Sequence, residues 1–92
     1  MLPSISLVIP AYNEEKYLPR LLDSVAQARE RFEHCSGTLE VIVADNASTD
    51  RTAAIAAGRG ARVVPVERRI IAAARNAGAA AATGDLLCFV DA

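Results

Sequence analysis

Leu7-Val8-Ile9-Pro10-Ala11-Tyr12-Asn13-Glu14-Glu15 is the stretch on which the fold turns. An apolar run breaks at a proline and opens into an acidic, Asn-led helix start. Strand, sharp turn and helix N-terminus, in that order, place exposed side chains at the ligand-binding edge of a parallel sheet. A ring, Tyr12, and a carboxylate, Glu14, stand in that turn. The ring offers a face for a nucleotide base, a contact worth about 1–3 kcal/mol where bases stack on aromatic side chains. The carboxylate can accept from hydroxyls or from a base. The structural alternative is a tyrosine that covers the sheet edge and a carboxylate that serves the helix dipole.

Outward from this stretch, strand and helix signals alternate. Ser6 to Ile9 is nearly continuously apolar, as in a strand with both faces covered. Asn13 is a good N-cap, and the helix it opens runs to about Phe32. Leu18, Leu21, Leu22, Val25 and Phe32 follow the 3.6-residue repeat and form its buried face. Pro19 is awkward in the second turn of that run and shortens or distorts it. Leu39 to Ala44 is a second apolar strand ending at Asp45. Ser48 caps a helix over Thr49 to Ala57 that stops at Gly58. Ala61 to Val66 is a third strand. A third helix runs from near Ile70 through an Ala-rich segment to Ala82, with Gly84 as terminator. Leu86 to Val90 is the fourth strand, followed by Asp91 and Ala92.

The order βαβαβαβ implies a mainly parallel sheet with right-handed crossovers and helices on both faces, a three-layer Rossmann-like α/β sandwich. Parallel strands end on one edge, so Tyr12, Asp45, Arg68 and Asp91 converge on one rim. Asp45 leaves a buried strand where it can accept from the imide or amino group of a base. The rest of Asp45-Asn46-Ala47-Ser48-Thr49-Asp50 reads as turn and cap chemistry, with Asp50 a first-turn carboxylate. Arg68 and Arg69 read as a solvated loop pair. Arg75 and Asn76 sit in a helix of Ala72, Ala73, Ala74 and Gly78 that can pack closely on the sheet, and they point to the rim or satisfy loop carbonyls. Asp91, delivered by an apolar strand, suits a hard cation such as Mg²⁺ or Mn²⁺, although one carboxylate holds such an ion poorly.

Composition removes several classes. Ninety-two residues make one small domain, which buries only about two-thirds of its unfolded surface. With 52% hydrophobic and 23% charged residues the chain packs a core, and a net charge of −1 gives no footprint for nucleic acid. Two cysteines are too few for a disulfide framework. Cys88 reads as a small buried hydrophobe and Cys35 lies in a polar connection, which fits a reducing, cytoplasmic setting. No stretch reaches the ~18–20 apolar residues that span a bilayer, and no signal-peptide pattern opens the chain. The one histidine, His34, lies in the first connection, which rules out a Ser/His/Asp or Cys/His set. No zinc spacing, Walker P-loop or G-x-G-x-x-G after the first strand is present, and Gly58-Arg59-Gly60 follows a helix. A phospho-acceptor receiver domain would use rim aspartates but leaves the Pro-Ala-Tyr-Asn-Glu turn unexplained.

Four segments together resemble the family 2 glycosyltransferases, of the GT-A fold. They are Val8 to Glu15, Glu40 to Thr52, Ala73 to Ala79, and Gly84 to Ala92, the last resembling the run into that family's DxD motif. The likeness runs from Ser6 to Ala92. It implies a nucleotide-diphosphate sugar donor, most simply a UDP-sugar, a divalent metal, and glycosyl transfer to an acceptor. By position, Pro10, Ala11, Tyr12 and Glu14 would line the nucleoside pocket and Asp45 would read the base. Arg75 would join the donor site. Asp91 would be the first DxD aspartate, near ribose and metal. The family fold also implies strand order 3-2-1-4, which sets Tyr12 and Asp91 on either side of the topological switch point.

Two departures from the family pattern stand out. Ile70 stands where many relatives carry glycine, six residues before Asn76. The chain also stops one residue short of the second DxD carboxylate. The expectation is therefore a single unit, residues 1–92, that is the N-terminal nucleotide-sugar-binding half of a GT-A enzyme cut short and inactive alone. The alternative is a non-catalytic α/β interaction module. In either case an uncovered flank of the fourth strand favours a homo-oligomer.

Overall fold

The computed structural model describes residues 2–67 and 71–92. The expectations for Arg68, Arg69 and Ile70 lie outside these residues. Strands β1 (Ser4–Ala11), β2 (Thr38–Asp45), β3 (Arg62–Pro65) and β4 (Leu86–Phe89) alternate with helices α1 (Leu18–His34), α2 (Thr52–Gly58) and α3 (Ile71–Ala81). The strands form one parallel sheet in the order β3-β2-β1-β4, as the family resemblance implied. No helix among the described residues is long and apolar enough to cross a membrane.

Period-two alternation divides the sheet between two layers. Ile9, Ala11 and Val43 face α1 and α2, where they pack with Leu18, Leu22 and Ala56. Val8, Ile42 and Ala44, all fully buried, alternate with them and face α3, whose Ala74 is also fully buried. Gly78, one helical turn on from Ala74, lets α3 lie close to β1: a Cβ built there would collide with Cγ1 of Val8.

The strand positions match the sequence reading to within two residues, and so does the start of α3 at Ile71, but the starts of α1 and α2 move. α1 begins at Leu18, five residues after Asn13, and Tyr17 caps it without a side-chain hydrogen bond. Pro19 therefore falls in the first turn, where its missing N–H costs nothing, and it marks the helix start instead of distorting the second turn. Asn13 has a left-handed backbone (φ 49°), and its Oδ1 accepts from the N–H of Thr49 at 2.8 Å. α2 begins at Thr52, and Ser48 is not its cap. His34 belongs to the last turn of α1, not to the connection.

Cys88 is exposed, contrary to expectation, and so are Leu86, Leu87 and Phe89. β4 is an outermost strand paired only with β1, so an apolar run there is not covered on both faces. Its beginning is tied down by a polar network at the amino ends of the strands. The hydroxyl of buried Ser6 donates to Glu40 Oε2 at 2.7 Å and accepts the N–H of Gly84 at 2.8 Å. The same Glu40 oxygen accepts from the N–H and Oγ1 of Thr83 at 3.0 and 3.1 Å. Arg62 lies 3.6 Å from Glu40 Oε1 and donates to the Ala81 carbonyl at 3.0 Å. Gly84 is required for close approach, since a Cβ there would sit 2.8 Å from the Ser6 nitrogen.

Two outcomes follow from this packing. Gly78→Ala should destabilise the fold by about 1–3 kcal/mol through overpacking on Val8. Denaturant titration checks this, with Val8→Ala in the same background restoring part of the loss. The Ser6 hydroxyl, with the Thr83 donors and Arg62, holds the Glu40 carboxyl below its ordinary pKa of 4.5. A depressed carboxylate contributes stability above its unfolded pKa that is lost as pH falls through the folded value. Stability measured from about pH 6 down to about pH 3 should therefore fall less steeply in Glu40→Gln than in the parent.

Candidate functional site

β1 and β2 end flush, with Ala11 opposite Asp45. The N–H of Asn46 donates to the Ala11 carbonyl at 2.8 Å, so Tyr12 and Asn46 leave the sheet side by side. Beyond that bond the two loops are joined by side chains. The successive N–H groups of Asn13, Glu14 and Glu15 donate to Ser48 Oγ (2.9 Å), Thr52 Oγ1 (2.9 Å) and Asp50 Oδ2 (3.2 Å). Thr52 is fully buried, and its hydroxyl in turn donates a hydrogen bond to Asp50 Oδ1. Asp50 also accepts the N–H of Thr52 at 2.9 Å. Burial raises the Asp50 pKa, but the Thr52 and Glu15 donors outweigh it and hold the carboxyl below its usual value. Ser48, Thr49, Asp50 and Thr52 thus hold the first loop in place instead of serving only their own turn.

On this rim lies a hollow of about 500 Å³ lined by Pro10, Ala11, Tyr12, Glu14, Asn46, Asp91 and Ala92. Five of the seven residues singled out from the sequence meet there: Pro10, Ala11, Tyr12, Glu14 and Asp91. Tyr12 is exposed at 36%. Asp45 and Arg75 stand just outside. Asp45 Oδ1 accepts the N–H of Ser48 at 3.3 Å, and its carbonyl accepts from Ala47 and Val66. Arg75 reaches from α3 to Asp91, with Nη2 3.1 and 3.4 Å from the two carboxylate oxygens, and its guanidinium lies 5.7 Å from the Phe89 ring centroid. A larger hollow, about 970 Å³, runs along the C-terminal half of α1 at the other end of the sheet. Its wall mixes apolar residues such as Leu22, Val25 and Val41 with charged side chains of α1, and it shares no lining residue with the rim hollow.

Asn46 was assigned to turn chemistry. It is only 5% exposed, it lines the rim hollow, and its Oδ1 has no hydrogen-bond partner among the described residues. A buried amide oxygen left unpaired costs about 1–3 kcal/mol, so an incoming donor group would be well received. The signal was the flush register of β1 and β2. It brings the residue after Asp45 to the rim beside Tyr12, while attention to charge favours Asp45 itself. Among the described residues no group of three or more His, Cys, Asp or Glu side chains converges to hold a metal ion. Of the two carboxylates that line the hollow, Glu14 and Asp91, the Asp91 side chain is 73% exposed.

Comparison with known proteins agrees with this geometry. The model for "Glycosyl transferase family 2" matches residues 6–92. A 4,4'-diaponeurosporenoate glycosyltransferase of Staphylococcus haemolyticus is 51% identical over 63 residues, covering 68% of this chain and 15% of the relative. A dolichyl-phosphate beta-glucosyltransferase of Mus musculus is 40% identical over 76 residues, covering 80% of this chain and 24% of the relative. In structure, the chain superposes on glucosyl-3-phosphoglycerate synthase from Mycobacterium tuberculosis with a TM-score of 0.77 and 34% identity, covering 97% of this chain and 33% of that one. That enzyme was crystallised with Mn²⁺, UDP and glucosyl-3-phosphoglycerate, and also with UDP-glucose and phosphoglyceric acid. The chain therefore spans about a third or less of the length of these relatives. Sheet order, rim and matched residues 6–92 lead to one assignment: the chain belongs to glycosyl transferase family 2.

Proposed function

We propose that the rim hollow binds the nucleotide of a nucleotide-diphosphate sugar, a UDP-sugar, and that these 92 residues are the donor-binding part of a longer glycosyltransferase. The observation that carries this reading is the buried, unpartnered Oδ1 of Asn46 beside an exposed aromatic ring and a carboxylate. Tyr12 stacks the base. The Asp45–Asn46 pair reads it, with Asn46 Oδ1 accepting an imide N–H and its amide NH₂ free to meet a neighbouring carbonyl, the pattern a uracil edge presents. Glu14 accepts from ribose hydroxyls. Pro10 and Ala11 form the floor, and Arg75 supplies positive charge toward the diphosphate. UDP and UDP-glucose in the mycobacterial neighbour support this choice of donor.

A divalent cation fits the donor chemistry of the site. Mg²⁺ is commonly held by one or two carboxylates together with substrate phosphates, and Asp91 is a hard, exposed oxygen donor of that kind. Mn²⁺ together with UDP in the neighbour supports a divalent cation as companion of the donor. When bound, the cation offsets the charge that the diphosphate gains as leaving group. The chain's own part is to hold the base, orient the ribose and present Asp91. Transfer to an acceptor takes groups these residues do not bring to the hollow. A second reading, a non-catalytic module that assembles through β4, has the exposed Leu86, Leu87 and Phe89 in its favour. Light scattering at high concentration separates the two, since that reading requires an oligomer.

UDP with Mg²⁺ should shift the backbone resonances of Tyr12, Glu14 and Asn46 with a Kd of about 1 mM, or −4 kcal/mol. Asn46→Ala should weaken binding about three- to tenfold by removing one acceptor. Unmoved pocket resonances at about 10 mM UDP would sink the donor-site reading. Binding a thousandfold tighter would instead sink the claim that the chain is only part of the site.

A further inference from the structure

Asp91, in the rim hollow, carries an ion partner in the structure, and that partner is Arg75. Nη2 of Arg75 spans both carboxylate oxygens. Phe89, two residues before Asp91, lies within cation–π distance of the same guanidinium. Nε of Arg75 is buried and has no hydrogen-bond acceptor among the described residues. One cationic group thus occupies the carboxylate, while one of its own buried donors goes without a partner.

We propose that Arg75 is a counter-ion built into the site, which a divalent cation must displace from Asp91 before that carboxylate can serve as its ligand. This rests on the donor-site reading above. A guanidinium and a divalent cation compete for the same two oxygens and repel each other at that distance. A cation arriving alone gains one carboxylate and displaces Arg75 from the one ion pair it makes among the described residues. A cation arriving with a diphosphate brings new acceptors, and Nε with a freed Nη is the edge that takes a phosphate in bidentate fashion. The exchange couples the two ligands: metal binds weakly without nucleotide, and nucleotide and metal favour one another. Arg75 is therefore a positioning residue for Asp91 in the empty site and a diphosphate contact in the filled one.

The pair is partly exposed, with side chains 43% and 73% accessible, so its hold on the metal is small. Mn²⁺ alone, followed by the electron paramagnetic resonance of free ion at low salt, should bind Arg75→Gln about two- to fivefold more tightly than the parent. The gain should vanish in Arg75→Gln/Asp91→Asn and shrink at about 0.5 M salt. Arg75→Gln that is folded by circular dichroism yet binds Mn²⁺ no better than the parent, or worse, overturns the proposal. So does an absence of Mn²⁺ binding in both proteins. A second arm uses the parent alone: the Arg75 Nε–Hε resonance should move on adding Mg²⁺ with UDP, and a resonance that stays put while UDP binds overturns the exchange. If UDP itself moves no pocket resonance, the donor-site reading is what has failed.

Discussion

Three consecutive backbone N–H groups, those of Asn13, Glu14 and Glu15, are held by side chains of the β2–α2 loop, and the binding rim depends on that clamp. Regular β1–β2 pairing ends at Ala11 and Asp45. Past that point neither loop has a ladder to lean on, and unpaired N–H groups would leave both free to move. Ser48, Thr52 and Asp50 take the donors one by one, while Asn13 returns a bond to Thr49. The left-handed turn at Asn13 is the conformation that lets its side chain reach across. Tyr12 and Glu14 are thereby presented at fixed positions beside Asn46, and this side of the hollow, where we propose the base binds, is formed before any ligand arrives.

The opposite wall is built differently. β4 pairs with β1 over Leu86–Phe89 alone, and one further bond, Val90 N–H to the Val8 carbonyl at 3.0 Å, continues it toward Asp91. Its start is anchored by Glu40, Ser6, Thr83 and Gly84 at the far end of the strand. Among the described residues, Asp91 is held between that anchor and the rim by the strand that leads into it and by Arg75. One wall is thus cross-linked through several buried and half-buried bonds. The other wall carries an exposed carboxylate held by a single exchangeable ion pair. The proposed recognition of a base by one wall and coordination of a phosphate-bound cation by the other ask for that asymmetry.

The strands were legible because β-branched and apolar residues cluster at strand length between turn residues, and their alternation with helices fixes a parallel sheet. The strand order came from the family likeness instead. The starts of α1 and α2 were not legible, because Ser, Thr, Asn and Asp offer the same hydrogen bonds to their own helix and to a neighbouring loop. Sequence shows the local partner and hides the distant one, so Asn13 and Ser48 read as caps when each serves the other loop. Cys88 was misjudged for a related reason: an apolar tetrad at a sheet edge has the same letters as one at its centre. Asn46 was passed over because a charged neighbour drew the role, whereas burial, which no local pattern reveals, singles it out.

The alanine and glycine content of α3 looks at first like bias in composition, but it has a geometric consequence at the rim. Ala74 and Gly78 lie one turn apart on the face against the sheet, and Gly78 leaves no room for a methyl group over Val8. The helix axis is brought close to β1 as a result. Arg75 follows Ala74 directly, so its stem starts low, beside the sheet, and its guanidinium can lie along Phe89 and still reach Asp91. A bulkier residue at position 78 would lift the helix and carry Arg75 away from that carboxylate. Close packing at a buried glycine and charge balance at an exposed aspartate are in this way parts of one arrangement, and the small residues of α3 set the distance between them.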